Sequence, residues 1–340
     1  MLQNLQKLTL GQRRLVFFMI VGGVILGFGL LTWLLVNQAL TPNVRVQALA
    51  LADDVTVAEF AALPDDDAYP AAVTVGPDGT VYTGSFATGA VWAIAADGTL
   101  TEIDETRRVA GGVAGLAVAA DGALLIVDSG ATDPRSSGGR LLRVPPDDAI
   151  IREFAYIDDD TGFVAPNDIV ITPDGSVFVS DSGRNEIWRF NADGSGGSVW
   201  WVPPSVAEGA RLAITGLAYD PAHDALIITE PERGLIYRAL LADGATEILY
   251  EHGQRENPPG FDGVTVAPDG TIYVAAFGQN GIAIVADGAL EYIVGRFRGA
   301  SDVAYADGRL YVPNFDQASL VVPLFQPQLP FALDVITLGE

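Results

Sequence analysis

The sequence predicts an all-β protein, a six-bladed β-propeller of four-stranded antiparallel blades, preceded by one transmembrane α-helix. Three observations carry this prediction. A turn built on Asp-Gly or a close variant recurs six times, the residues after each turn alternate between apolar and polar, and one long apolar run, interrupted only by Thr32, precedes all copies. Alternation of period two between Asp-Gly turns is typical of antiparallel hairpins, because such turns need residues that tolerate positive φ.

The clearest copy of the repeat runs from Pro166 to Gly194. It contains an apolar run, the turn Asp174-Gly175, an alternating run, and a third strand that ends at Asp193-Gly194. Successive first turns are 38 to 53 residues apart, and their aspartates are Asp78, Asp121, Asp174, Asp224, Asp269 and Asp307. A period of about 45 residues with several short strands in each copy indicates a propeller with four-stranded blades.

The apolar run covers residues 15–36, which are 22 residues without a charge. As a helix it would be about 33 Å long, enough to cross the hydrocarbon core of a bilayer. Lys7, Arg13 and Arg14 precede the run and only Arg45 follows it closely. The positive-inside rule then places the N-terminus in the cytoplasm and the propeller on the other side of the cell membrane. A secretory signal is the alternative interpretation, although its apolar region is usually about 7 to 15 residues long.

The last blade needs a strand from the start of the chain. The sixth copy shows only three strands, at residues 303–305, 310–312 and 320–324. We expect residues 54–62 to complete it by pairing with the strand around Val321, because joining the chain ends leaves no open sheet edge. The predicted parts are a cytoplasmic segment (1–14), a transmembrane helix (15–36), a tether (37–53), the propeller (54–325) and a C-terminal tail (326–340).

Charge and small residues restrict the partners. Residues 1–45 hold four of the 19 basic residues and none of the 43 acidic ones, so the rest of the chain carries a net charge of −28. Such a surface repels phosphate backbones, and nucleic acid is not expected as a partner. Within the apolar run, Gly23 and Gly27 form a small-xxx-small face that would let another membrane helix approach closely. The chain has no cysteine, which excludes disulfides and thiolate metal sites.

Two sets of loop residues are expected to surround one mouth of the central channel. The first loop set leads into the first strand of each copy and consists of Ala71, Ala114, Asn167, Thr215, Asp262 and Ser301. The second loop set follows the second strands and consists of Ser85, Asp128, Asp181, Glu230, Phe277 and Asn314. Binding and catalytic residues are commonly located on loops that a rigid scaffold holds in place. The alternative is that the Asn and Asp side chains only satisfy turn backbones.

The Pro166-Asn167-Asp168 segment and the Pro-Asp-Gly turns resemble those of the senescence marker protein, gluconolactonase and strictosidine synthase-like propellers, over about residues 55–325. The resemblance implies a divalent cation, usually calcium, at the channel mouth. Its ligands would be a Glu from the first copy, Asn from the third and fourth, and Asp from the fifth. The metal would polarise a lactone or ester, and the last carboxylate would act as base; oxygen ligands suit a hard cation.

Only part of this ligand set is present. Asn167 matches the Asn of the third copy, and Asp262 matches the Asp of the fifth, which the resemblance implies as ligand and catalytic base. Ala71 and Thr215 stand where the resemblance implies Glu and Asn. The additional candidate ligands are Asp168, Thr215 and Asp302.

Two functions remain open at this stage. The first is a membrane-anchored interaction module, an accessory subunit of a membrane protein complex, which the altered ligand set and the glycine face favour. The second is a calcium-dependent lactonase or esterase with a partly altered metal site, in which Asp262 is the base and Asn167 a ligand.

Overall fold

The computed structural model describes residues 9–40, 43–131, 138–146, 150–205, 214–253, 255–322 and 325–339. Most of the predicted cytoplasmic segment, residues 1–8, lies outside these ranges. The first element is helix α1, Leu10–Leu40, which extends beyond the predicted apolar run at both ends. By length and composition α1 can cross a membrane, and a signal sequence would pass the same test. No part of the apolar stretch of α1 is buried in the described structure.

Six antiparallel sheets follow and confirm the six-bladed propeller with four-stranded blades. From the channel outward, blade 1 contains Pro70–Val75, Val81–Ser85, Val91–Ile94 and Leu100–Glu102; blade 2 contains Val113–Val118, Leu124–Asp128, Arg140–Val144 and Arg152–Ala155; blade 3 contains Pro166–Ile171, Val177–Asp181, Glu186–Phe190 and Ser198–Trp201. Blade 4 contains Leu217–Asp220, Ala225–Glu230, Leu235–Leu240 and Thr246–Glu251; blade 5 contains Phe261–Val266, Ile272–Ala276, Gly281–Ala286 and Ala289–Gly295; blade 6 contains Ala304–Ala306, Arg309–Pro313, Ala332–Leu338 and Val55–Ala62.

Short helices and a tether surround the blades. Helix α2 is Thr106–Val109, helix α3 is Gln317–Val321, and a 3₁₀ turn covers Phe277–Gln279. The tether is ordered against the propeller: Asn43–Val44 pairs in parallel with Gln328–Leu329, and Leu49–Ala50 adds a fifth strand to blade 5.

The Asp-Gly turns form as their residue types require. In blade 3, Gly175 has a φ of +82°, which glycine adopts without a steric penalty. Its N–H donates to the carbonyl of Thr172 at 2.8 Å. The preceding Asp174 carboxylate accepts the backbone N–H of Ser176 at 3.0 Å, so the side chain closes the turn on itself.

The hydrophobic core is divided into six clusters, and each lies between two consecutive blades. Between blades 3 and 4, for example, the fully buried Phe178 and Ile187 pack with Leu226 and Tyr237. A twisted four-stranded blade buries both faces only when it has a neighbour on each side. The ring must therefore close before the first and last blades are stable.

The ring closes in a different place from the one expected. Val55–Ala62 pairs antiparallel with Ala332–Leu338, and the expected pairing with a strand around Val321 is wrong. Residues 317–321 are helix α3, which leaves Val321 exposed, whereas Leu333 and Ile336 are fully buried. Burial decides the assignment: the last segment of the chain, expected to be a tail, supplies the third strand of blade 6.

Candidate functional site

A cavity of about 250 Å³ opens at one end of the central channel. We call this end of the propeller the mouth face and the opposite end the turn face. All six residues of the first loop set line the cavity: Ala71, Ala114, Asn167, Thr215, Asp262 and Ser301. Asp168 and Asp302, the additional candidate ligands, line it as well. The structure therefore brings the first loop set and all the candidate ligands together at one cavity.

The loops after the second strands contribute at positions that the sequence reasoning mostly missed. In all six blades a residue one or two positions after the second strand lines the cavity: Phe86, Ser129, Ser182, Pro231, Phe277 and Phe315. Only Phe277 belongs to the second loop set. The ring centroids of Phe86 and Phe315 are 5.4 Å apart, and those of Phe277 and Phe315 are 6.5 Å apart. These three rings make one wall of the cavity apolar.

The carboxylates of the second loop set hold loops together and do not line the cavity. Asp181 accepts the backbone N–H groups of Val164 and Ala165 at 2.8 and 2.9 Å. Glu230 accepts the hydroxyl of Tyr237 at 2.8 Å and forms an ion pair with Arg233. At these positions the acidic side chains satisfy loop backbones and neighbours, which is the structural alternative stated above.

Two hydroxyls of the first loop set are also committed to the fold. The Ser301 hydroxyl donates to the carbonyl of Ala71 in the next blade at 2.7 Å. The Thr215 hydroxyl is 3.0 Å from that of Thr229 and donates to the carbonyl of Phe261 at 3.3 Å. Thr215 is therefore engaged in the seam between blades 4 and 5, and it is a poor candidate for a metal ligand.

Asp168 and Asp302 each connect their blade to the next one. Asp168 Oδ2 accepts the N–H of Leu217 in blade 4 at 2.7 Å, and Asp302 Oδ2 accepts the N–H of Val73 in blade 1 at 2.8 Å. The other oxygen of each carboxylate accepts the N–H of the following residue. Blade 5 has Gly263 at this position, and a Cβ there would collide with Asp302.

Asn167 and Asp262 differ from these residues because the fold makes no use of their side chains. Neither the Asn167 carboxamide nor the Asp262 carboxylate has a hydrogen-bond partner among the residues that the structure describes, and both border the cavity. Both side chains are half-buried and reach the cavity, so their polar atoms are available to a ligand or to water. These are the two positions that match the resemblance.

The electrostatics of the cavity are those of half-buried carboxyl groups that lie close to one another. Burial raises the pKa of Asp168 to about 7, although two backbone N–H groups oppose the shift. Burial, and then the negative charge of Asp168, raise the pKa of Asp262 well above its usual value. The same two causes raise the pKa of Asp302. The described cavity lining contains no lysine, arginine or histidine, so no side chain there compensates these charges.

The donor set partly fits a calcium ion. No group of three acidic, histidine or cysteine side chains in the described part of the chain is arranged to hold a metal. An amide oxygen from Asn167 and a carboxylate from Asp262 are available, and each oxygen of Asp168 and Asp302 keeps a lone pair beyond its backbone bond. An all-oxygen set of this kind suits a hard divalent cation that takes its other ligands from water or substrate.

Known proteins match this chain at the level of the fold. Residues 163–190 match the NHL repeat model. A gluconolactonase from Xanthomonas campestris is 17% identical, with a TM-score of 0.62 over 88% of this chain and 98% of its own. A luciferin-regenerating enzyme is 14% identical, with a TM-score of 0.62 over 84% and 97%. Virginiamycin B lyase from Staphylococcus aureus is 19% identical, with a TM-score of 0.54 over 76% and 81%. No curated protein sequence matches the chain.

Proposed function

We propose that the propeller binds a small molecule at its channel mouth and hydrolyses a lactone or ester there, with a divalent cation, calcium in the first place, held by Asn167 and Asp262. The observation that carries this proposal is that these two polar side chains border one cavity and are not used by the fold. The similarity to gluconolactonases adds the reaction class.

The residues of the cavity would divide the work as follows. When bound, the cation supplies Lewis-acid polarisation of a carbonyl group. Asp262 would accept a proton from the attacking water and return it to the leaving alkoxide oxygen as the C–O bond of the lactone or ester breaks. Backbone N–H groups hold the carboxylates of Asp168 and Asp302 in place, so these two groups would stabilise the charge of the bound cation without moving. The wall of Phe86, Phe277 and Phe315 binds the apolar part of the substrate.

Calorimetry with calcium chloride tests the cation site. We expect the purified chain to bind calcium and Asp262→Asn to lose at least about 100-fold in affinity, because a charged ligand becomes neutral at nearly unchanged shape. Asp269→Asn is the matched control, since Asp269 is an exposed turn residue on the turn face and should leave binding unchanged. Absence of calcium binding together with absence of lactone turnover in the unaltered chain would refute the proposal.

We further propose that α1 is an uncleaved single-pass anchor with its N-terminus in the cytoplasm. The charge distribution supports this orientation, because Lys7, Arg13 and Arg14 precede the apolar run and the propeller is strongly acidic. The chain has no cysteine, so a single Ala120→Cys variant can report the side of the propeller. In intact cells a membrane-impermeant maleimide should label it; labelling only after lysis would place the propeller inside.

A second candidate function is an interaction module, an accessory subunit of a membrane protein complex. Two observations favour it: Ala71 and Thr215 replace two of the implied ligands, and nothing in the described structure lies within 4 Å of a Cβ placed on Gly23 or Gly27. A partner helix could therefore pack against α1. Gentle solubilisation should then yield co-purifying chains that are lost in Gly23→Leu and Gly27→Leu variants, whereas recovery of a monomer alone would exclude this role.

A further inference from the structure

The tether joins the propeller on the mouth face. Residues that follow the second strands surround the cavity, so the ends of those strands lie on the mouth face. In blade 6, Pro313 at the end of the second strand pairs with Leu333 at the start of the third. Leu329, which pairs with Val44 of the tether, is four residues before Leu333. The tether is therefore attached beside the channel mouth.

Little chain separates this attachment from the membrane helix. Helix α1 ends at Leu40, and the paired strand begins at Asn43. Three peptide units span at most about 11 Å between the Cα atoms of these two residues. The apolar part of α1 ends at Val36, and four further residues of helix add about 6 Å. The attachment point is therefore within about 17 Å of the hydrocarbon, close to the lipid headgroups.

An exposed apolar cluster lies between the cavity and the tether. It consists of Val321, Val322 and Phe325, whose exposed fractions are 49%, 36% and 52%. Helix α3, which carries Val321, begins at Gln317, a residue of the cavity lining. After the cluster the chain reaches Gln328–Leu329, which pairs with the tether. Large apolar side chains at the surface beside a membrane anchor are typical of contact with lipid.

The turn face carries many ionised side chains. Among the described residues, ten exposed aspartates occupy the turns on this face, between first and second strands and between third and outer strands: Asp78, Asp97, Asp121, Asp174, Asp193, Asp224, Asp243, Asp269, Asp287 and Asp307. Ionised carboxylates are costly to bring toward a bilayer. The mouth face also carries exposed carboxylates, among them Asp66, Asp158 and Glu256. Contact with lipid is therefore expected where the apolar cluster lies beside the tether, and not over the whole mouth face.

We propose that the edge of the mouth face beside the tether lies against the bilayer that α1 crosses, with Val321, Val322 and Phe325 in contact with lipid. This inference rests on the proposed anchor. It adds the substrate class, because a channel that opens at the headgroups receives amphiphiles that partition into the membrane: a polar lactone or ester head enters the cavity while an apolar tail remains in the lipid.

Short-range quenching by lipid tests this arrangement on the full chain in phosphatidylcholine nanodiscs. Since the chain has no cysteine, one fluorophore can be attached at each of four variants: Phe325→Cys, Val322→Cys, Ala120→Cys and Leu26→Cys. The quencher is a nitroxide on the phosphatidylcholine headgroup or acyl chain. We expect labels at 325 and 322 to be quenched at least about threefold more than the label at 120, which is in an exposed turn on the turn face.

The label at Leu26 separates the two possible failures. Strong acyl-chain quenching there, with equal and weak quenching at 325, 322 and 120, would refute the apposition of the mouth face while leaving the anchor intact. Weak quenching at Leu26 would refute the anchor itself. Stronger quenching at 120 than at 325 and 322 would show that the turn face is the one against the membrane.

Discussion

Asp262 and Asp168 face the same cavity, yet their carboxylates have different neighbours. Both oxygens of Asp168 accept backbone N–H groups, one from its own blade and one from the next. Asp262 accepts none from a described residue, and only a ligand, a proton or water can compensate its charge. A carboxylate that the fold does not require is one whose replacement should change chemistry more than stability, which is why Asp262 carries the calorimetric test.

The raised pKa of Asp168 predicts a pH dependence of stability. Between about pH 4 and pH 7 the folded protein keeps this carboxyl protonated while the unfolded chain releases the proton, so the free energy of unfolding falls as pH rises. We expect a fall of about 2 to 4 kcal/mol across this window in the absence of divalent cations. Urea unfolding at successive pH values measures it.

The control separates Asp168 from ordinary aspartates. Asp168→Asn should reduce the fall, because this side chain no longer titrates, while Asp262 and Asp302, whose pKa values are also raised, continue to contribute. Asp269→Asn should leave it unchanged, because the backbone N–H of Thr271 lowers the pKa of Asp269, which is ionised throughout this window. A stability that rises from pH 4 to pH 7 in the unaltered chain would contradict the prediction.

At this scale the sequence predicted which positions meet but not which side chains the fold uses. The first loop set could be aligned because each member precedes an equivalent strand, and all six line the cavity. The second loop set was mostly displaced by one residue: Asp128 faces backbone N–H groups while Ser129 lines the cavity. Hydrogen bonds between loops that are distant in the chain determine which residue faces the cavity. No local sequence pattern predicts these bonds.

Among the structural elements, the strands of blades that contain Asp-Gly turns could be predicted from the sequence, whereas the third strand of the closing blade could not. The run 320–324 is apolar and short, and such runs do not distinguish a strand from a helix. The true third strand, Ala332–Leu338, comes after a proline-rich stretch with no Asp-Gly turn before it. Its identity depends on pairing with Val55–Ala62 at the far end of the chain.

Substitution of one residue in each competing segment tests the assignment of the third strand. Ile336 is fully buried between blades 5 and 6, and Ile336→Ala should lower the free energy of unfolding by about 2 to 5 kcal/mol. Val321 is half exposed in α3, and Val321→Ala should change it by less than about 0.5 kcal/mol. Denaturant unfolding of the detergent-solubilised chain measures both. The reverse order would restore the original strand assignment.

The tether is held to blade 6 by a largely buried ion pair. Arg45 contacts Asp334 and Glu59, and the side chains of Arg45 and Asp334 are only 9% and 4% exposed. Arg45→Ala would leave the Asp334 carboxylate buried without its cation, and we expect a loss of about 3 kcal/mol. Arg108→Ala removes the exposed pair with Glu105 and should cost less than about 0.5 kcal/mol. Equal effects in thermal unfolding would contradict this account.

In the whole molecule, the tether that follows α1 and the channel mouth are on one side of the propeller. The tether joins beside the mouth, the apolar cluster of Val321, Val322 and Phe325 borders it, and the aspartate turns are at the other end. This arrangement could not be read from sequence, because it depends on Gln328–Leu329 returning to the mouth face before the last strand. Given the fold, however, each feature supports a substrate that arrives by way of the bilayer.

The combined proposals predict a selective defect when the apolar cluster is made polar. Phe325→Asp should lower kcat/KM for a long-chain lactone in phosphatidylcholine vesicles by about tenfold, because a charge beside the headgroups weakens contact with lipid. Turnover of a short, water-soluble lactone should be unchanged, since Phe325 does not line the cavity. Val199→Asp, at an exposed site on the outer strand of blade 3, is the matched control and should affect neither. Equal losses for both lactones would mean that Phe325 acts through the fold, and no loss for either would mean that the substrate enters from water.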